Sequence, residues 1–169
     1  MLEAQRFTQR QIPRGEPGIW QSVATIRRLI RLESPAPVVR AYAALISRRS
    51  APDDHDSRLL AIRRFVSDHM VYLPDPVDVE AVGLPSYHLE AIRTTGGTAG
   101  DCDDAAALAA ALARSAGRPV RLAVASFLPS QKLHHIWAEG LGRSGWIDLD
   151  PFREERWTSK PTRLHLIGV

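Results

Sequence analysis

The chain has 169 residues, 44% of them hydrophobic and 24% charged, which is the length and balance of one globular domain and excludes an intrinsically disordered chain. No apolar run approaches the roughly 18 residues of a membrane span, and the polar opening MLEAQRFTQRQIPRGEP has no secretory core, so the expected place of synthesis is the cytoplasm. A single cysteine, Cys102, excludes an internal disulfide and a cysteine-rich zinc site, and the formal net charge of +3 is unevenly spread.

Residues 1–50 hold nine arginines against Glu3, Glu16 and Glu33, whereas the remainder is mildly acidic. A basic head of this kind suits an acidic partner. Its arginines are scattered and lack interleaved aromatics, so a solvated helix face is expected rather than a nucleic-acid surface.

Residues 1–17, with Pro13, Gly15 and Pro17, read as an extended arm. Apolar residues at Ile19, Val23, Ile26, Leu29 and Ile30 predict a helix over 18–32, broken by Ser34-Pro35-Ala36-Pro37. A second helix is expected over 37–48, with Val38, Tyr42, Leu45 and Ile46 on one side. Asp53 or Asp54 should cap a third, striped by Leu59, Ile62, Phe65 and Val66. Residues 71–85 read as an irregular extended crossing, and Ser86 as the cap of a short helix ending at Ile92. The alanine-rich run after GGTAGDCDD is the clearest helix and should end at Gly117. Strands follow at 120–127, at 134–141 and, beyond the turn Gly142–Gly145, at 146–150. RLHLIGV can add one more. Helices followed by an antiparallel meander make an α+β arrangement.

Cys102 falls at the N-terminus of its helix, where amide N–H groups and the helix dipole favour a thiolate. Gly96, Gly97 and Gly100 give the approach a backbone that bends sharply. A nucleophile needs a base, and the base needs a group that fixes its tautomer. His135 lies in a strand, and Asp148 and Asp150 lie in the next strand, where cross-strand side chains sit about 5 Å apart. Alternation places His135, Trp137 and Glu139 on one face and His134 on the other. It puts Trp146, Asp148 and Asp150 together, so alternation alone does not choose between the two aspartates. Asp101, Asp103 and Asp104 crowd the cysteine and oppose a thiolate unless they point away. No metal site is expected of them, because D-C-D-D lacks a glycine-spaced loop of oxygen ligands. The alternative for Cys102 is a buried structural thiol. GGTAG lacks the Lys-Ser/Thr of a phosphate loop.

GDCDDAAALAAALARSAGRPVRL, HIWAE and GWIDLDP together resemble the transglutaminase-like superfamily of cysteine enzymes, over roughly residues 55–155. The G-D-C-D-D variant with a helical extension resembles small members encoded by phages and prophages. The resemblance implies a papain-like core at 51–169 behind a basic helical extension at 1–50. It implies a catalytic triad of Cys102, His135 and Asp150, favouring His135 over His134 and Asp150 over Asp148, with no cofactor and no metal. It implies acyl chemistry on a protein or peptide amide, by hydrolysis or cross-linking. Asp101, Trp137 and Trp146 are expected to support the cleft. Tyr72, Tyr87 and His88 are candidates for an oxyanion donor alongside the Cys102 backbone N–H. The other reading is a phage virion or tail assembly protein that keeps the fold without activity. There the arm, with Arg6, Arg10 and Arg14, would reach a neighbouring subunit.

Overall fold

The computed structural model describes residues 7–11, 13, 15–48, 50–51, 53–76, 79–152 and 160–169. The chain order is β1 (Phe7–Gln11), α1 (Glu16–Glu33), α2 (Pro37–Ser47), α3 (His55–His69), β2 (Met70–Tyr72), β3 (Val79–Gly83), α4 (Pro85–Thr95), β4 (Thr98–Gly100), α5 (Cys102–Ser115), β5 (Val120–Ser126), β6 (His135–Leu141), β7 (Trp146–Asp148) and β8 (Arg163–Gly168). This is the expected α+β class.

Helix α5 is the centre of the molecule. Every residue from Asp103 to Ala113 is buried. That is possible because its alanines let neighbours approach closely from all sides while Leu108 and Leu112 fill the gaps. The helix ends as the sequence requires, with Gly117 at φ 77°. Helices α1, α2 and α3 pack around α5, and their apolar residues share one core with it. The stripe of α1 is buried as expected at Val23, Ile26, Leu29 and Ile30. Helix α2 packs Val38, Tyr42 and Ile46 partly buried against this core as expected, with Val39 and Ala43 fully buried beside them, whereas Leu45 is exposed. The two small residues allow the closer approach.

A four-stranded sheet in the order β7-β6-β5-β8 covers one side of α5. Its members are all antiparallel, so β5, β6 and β7 form the expected meander and β8 joins the free edge of β5. The β6–β7 turn is tied to α3, since Asp56 accepts hydrogen bonds from the Arg143 N–H and the Ser144 hydroxyl, both at 2.6 Å. These bonds hold the Asp56 carboxyl below its usual pKa.

Two short pairings were not expected. The segment read as an irregular crossing supplies β2, parallel to β4, and β3, antiparallel to β1. Residues 7–11 of the arm are therefore paired within the chain, and Arg6 and Arg14 lie outside the described residues. The cap of α4 is also corrected. Leu84 is the N-cap, Pro85 occupies the first turn, and the Ser86 N–H donates to Glu33 Oε2 at 3.0 Å. Proline needs no partner for its nitrogen there, so Ser86 is displaced into the helix. Among the described residues no helix is long and apolar enough to cross a membrane.

Candidate active site

Cys102 is the first residue of α5, and Asp101 is its N-cap. The Asp101 Oδ1 accepts the Asp103 N–H at 3.2 Å, while the Asp101 N–H donates to Asp104 Oδ2 at 3.3 Å. This reciprocal capping fixes the helix end and leaves the dipole of a fourteen-residue helix directed at the thiol.

Asp104 is buried at 6% exposure and has further donors. Its Oδ1 accepts the Gly83 N–H at 2.6 Å and lies 3.2 Å from His88 Nε2. The other ring nitrogen of His88 lies 2.9 Å from the Thr98 hydroxyl. One carboxylate thus joins β3, α4 and the head of α5. The fit is close: a Cβ on Gly100 would stand 2.4 Å from Asp104 Oδ2, and one on Gly83 would stand 2.3 Å from His88 Nε2. A side chain at either position would force the buried pair apart. Asp103 is buried as well, and its Oδ1 accepts the Asp104 N–H at 2.9 Å. The three aspartates bring oxygens within 4.8 Å of one another, and oxygens of all three accept from backbone donors.

His135 opens β6, and its Nε2 lies 2.7 Å from Asp150 Oδ2, with both side chains only 4% exposed. Asp150 stands just past the end of β7, where its Oδ1 accepts the Phe152 N–H at 2.9 Å and its own N–H donates to Asp148 Oδ1 at 2.7 Å. Asp148 pairs in register with Glu139, four residues along β6 from His135. The contact is therefore diagonal and depends on the turn after β7, not on directly opposed strand positions. With Asp150 as the acceptor, Nε2 carries the ring proton. The Trp137 ring stacks on His135, centroids 5.6 Å apart and planes at 24°.

Cys102 and His135 line one cavity of about 250 Å³, together with Tyr72, Asp101, Asp103, His134 and a face of α1. The β2–β4 pairing is what brings Tyr72 there, by setting it beside Gly100, two residues before the cysteine. Tyr72 meets Phe152 edge-on at 5.1 Å. Burial, and then negative charge at Cys102, Asp101 and Asp103, push its phenol above the usual pKa.

The other expected supports fall elsewhere. Tyr87 is absent from the lining and packs edge-on against His88, whose own nitrogens are engaged by Thr98 and Asp104. Trp146 is absent from the lining too. It sits opposite Leu141 at the hairpin end, with the Arg121 guanidinium 4.2 Å over its ring. It stands at the end of β7 far from Asp150, which lies just past the strand's other end. The α1 residues were missed as cavity residues. Their apolar stripe signals burial and does not show which part of it borders a cleft.

A sequence model described as the transglutaminase-like superfamily matches residues 40–151, from within α2 to just past Asp150. No curated protein matches the chain in sequence. Among solved structures, a "putative protease" from Parabacteroides distasonis is 15% identical, with a TM-score of 0.54 over 83% of this chain and 30% of that one. A "putative cysteine protease" from Cytophaga hutchinsonii is 18% identical, with a TM-score of 0.48 over 76% of this chain and 49% of that one. This chain spans less than half the length of either.

Proposed function

Because the chain belongs to the transglutaminase-like superfamily, we propose that it is a cysteine acyl-transfer enzyme acting on amides, with Cys102 as nucleophile, His135 as acid and base, and Asp150 as the group that orients His135. The observation that carries this reading is the buried bond from His135 Nε2 to Asp150 Oδ2, 2.7 Å long, on a ring that shares a cavity with the thiol of the first residue of α5.

The steps follow from these groups. His135 Nδ1 takes the thiol proton, and the Cys102 sulfur attacks the amide carbonyl, forming a C–S bond and an oxyanion. The backbone N–H of Cys102 and the Tyr72 hydroxyl are the proposed donors to that oxyanion. A phenol held above its usual pKa keeps its proton at neutral pH and so remains a donor. The C–N bond then breaks as His135 returns its proton to the leaving amine, leaving a thioester. Water or an amine next loses a proton to His135 and attacks the thioester, and the thiolate leaves with the C–S bond. Water makes the reaction hydrolysis, and an amine makes it a cross-link.

A peptidyl acyloxymethyl ketone tests this by intact mass. A single adduct is expected on Cys102, absent in Cys102→Ala and formed at least about a hundredfold more slowly in His135→Ala. Labelling no faster than that of free cysteine would overturn the reading.

A further inference from the structure

The chemistry above leaves one wall of the cavity unused. Ile19, Ser22, Val23 and Ile26 of α1 fall at the i, i+3, i+4, i+7 spacing of one helix face, and all four line the cavity with Val124 and Ile136. Helix α1 precedes residue 40 and lies outside the segment matched to the family. It is held at both ends. Glu16 pairs with Arg163 of β8, and Trp20 meets His165 edge-on at 5.2 Å. Glu33 at the other end accepts the Ser86 N–H at the head of α4. A helix anchored in this way is a fixed wall.

The cavity has buried and exposed walls. On the α1 side Val23 and Ile26 are at most 4% exposed, whereas Tyr72 and His134 line it at exposed positions. In two-step acyl transfer the acyl group stays in place through both steps, while the amine departs and the acceptor enters. The buried α1 wall therefore suits the acyl group. It bears no charge and only the Ser22 hydroxyl, so a charged side chain laid against it would be desolvated by apolar neighbours. At about 250 Å³ the cavity falls below the roughly 300–1,000 Å³ typical of drug-sized ligands, which restricts it to a compact group. We propose that this face of α1 is the acyl-binding wall, and that the preferred amides carry a compact aliphatic side chain on the acyl residue. This inference rests on the acyl-transfer reading above.

The test compares acyloxymethyl ketones bearing leucine, glycine or aspartate as the acyl residue, with iodoacetamide as a reagent too small to need the wall. Each buried methylene contributes about a factor of four. The leucyl reagent is therefore expected to label Cys102 at least about tenfold faster than the glycyl one, and the aspartyl reagent to be slowest. Val23→Phe should bring the leucyl-to-glycyl ratio toward one by filling the space beside the wall. Ile19→Ala, at a half-buried position that tolerates truncation, should lower the same ratio. A ratio near one in the intact protein, with iodoacetamide still alkylating Cys102, would overturn the wall and leave the acyl-transfer reading standing. Failure of Cys102 to react with iodoacetamide and with all three ketones would overturn the acyl-transfer reading and the wall with it.

Discussion

Replacing Asp150 by asparagine exchanges one oxygen for an NH2 group and changes almost no volume, yet the hydrogen bonds around it make the substitution severe. Asp150 uses both oxygens as acceptors, Oδ2 toward His135 Nε2 and Oδ1 toward the Phe152 N–H. Asparagine has one acceptor and one donor group, so it can serve only one of these neighbours as the carboxylate does. If its oxygen keeps Phe152, its NH2 faces His135, and the ring must move its proton to Nδ1, the nitrogen needed bare for the thiol. If its oxygen turns to His135, the Phe152 N–H loses its acceptor, at about 1–3 kcal/mol. Either way the charge-assisted bond to the imidazolium is lost, a term of about 1.5–3 kcal/mol in a pair that is 96% buried by the 4% exposure of each side chain. At about 1.4 kcal/mol per factor of ten, Asp150→Asn is expected to lower the ketone labelling rate by roughly 10- to 150-fold from the charge alone. The tautomer change adds to this. Asp148→Asn should cost less than tenfold, because Asp148 supports the Asp150 backbone N–H, and asparagine can still accept it. Labelling rates across pH 5–9 measure both variants. Equal losses for the two, or no loss in Asp150→Asn, would refute the assignment of Asp150.

Trp137→Ala should slow labelling more than tenfold and destabilise the fold by about 3–5 kcal/mol, because it removes the ring stacked on His135 and leaves a cavity. Trp146→Ala should change labelling less than about threefold and stability by less than about 1 kcal/mol, its cation–π contact with Arg121 being partly exposed. Chemical denaturation of both variants checks the contrast. Asp104→Ala should destabilise by about 3–5 kcal/mol in urea titration, since it breaks a buried pair and removes the acceptor of the Gly83 N–H. Asp56→Asn tests the β6–β7 turn by pH. The Asp56 pKa is lowered in the folded state, so its contribution is present above the unfolded value, about 3.9, and is lost as pH falls through the folded one. The melting temperature of Asp56→Asn should lie below that of the intact protein at pH 7, with the gap narrowing in strong acid.

How much of this was legible depended on the range over which each signal acts. Helix α5 was readable because its composition is local and Gly117 marks its end. The meander was readable because β-branched and apolar runs at 120–127 and 134–141 are bounded by Arg118-Pro119 and by a glycine-bounded turn that joins β6 to β7. Strands β2 and β4 were not readable. Each is three residues long, too short for a period to show, and they pair in parallel across the whole of β3 and α4. The pairing of β1 with β3 joins residues more than sixty positions apart, with three helices between them. These unreadable pairings set Tyr72 beside the cysteine and turn residues 7–11 back onto the chain. The choice of Asp150 over Asp148 came from family resemblance, since the two share a face. The structure separates them by where β7 stops, which no alternation pattern encodes.

The aspartates around Cys102 posed the sharpest physical conflict in the sequence, because three carboxylates beside a thiol oppose its ionisation. The structure answers with the bonds that these carboxylates accept. Asp101 caps the helix through the Asp103 N–H, Asp103 accepts the Asp104 N–H, and Asp104 accepts from the Asp101 and Gly83 N–H groups beside His88. Each carboxylate that disfavours the thiolate by charge is thus directed at a backbone donor, and together they fix the helix end whose dipole favours it. Removing a single aspartate would therefore relieve repulsion and loosen the helix start together. For Asp101→Ala the second effect should dominate, since its loss removes the N-cap, about 1 kcal/mol, from the residue next to the nucleophile. Asp101→Ala is expected to slow thiol labelling. Faster labelling would show that repulsion outweighs the cap.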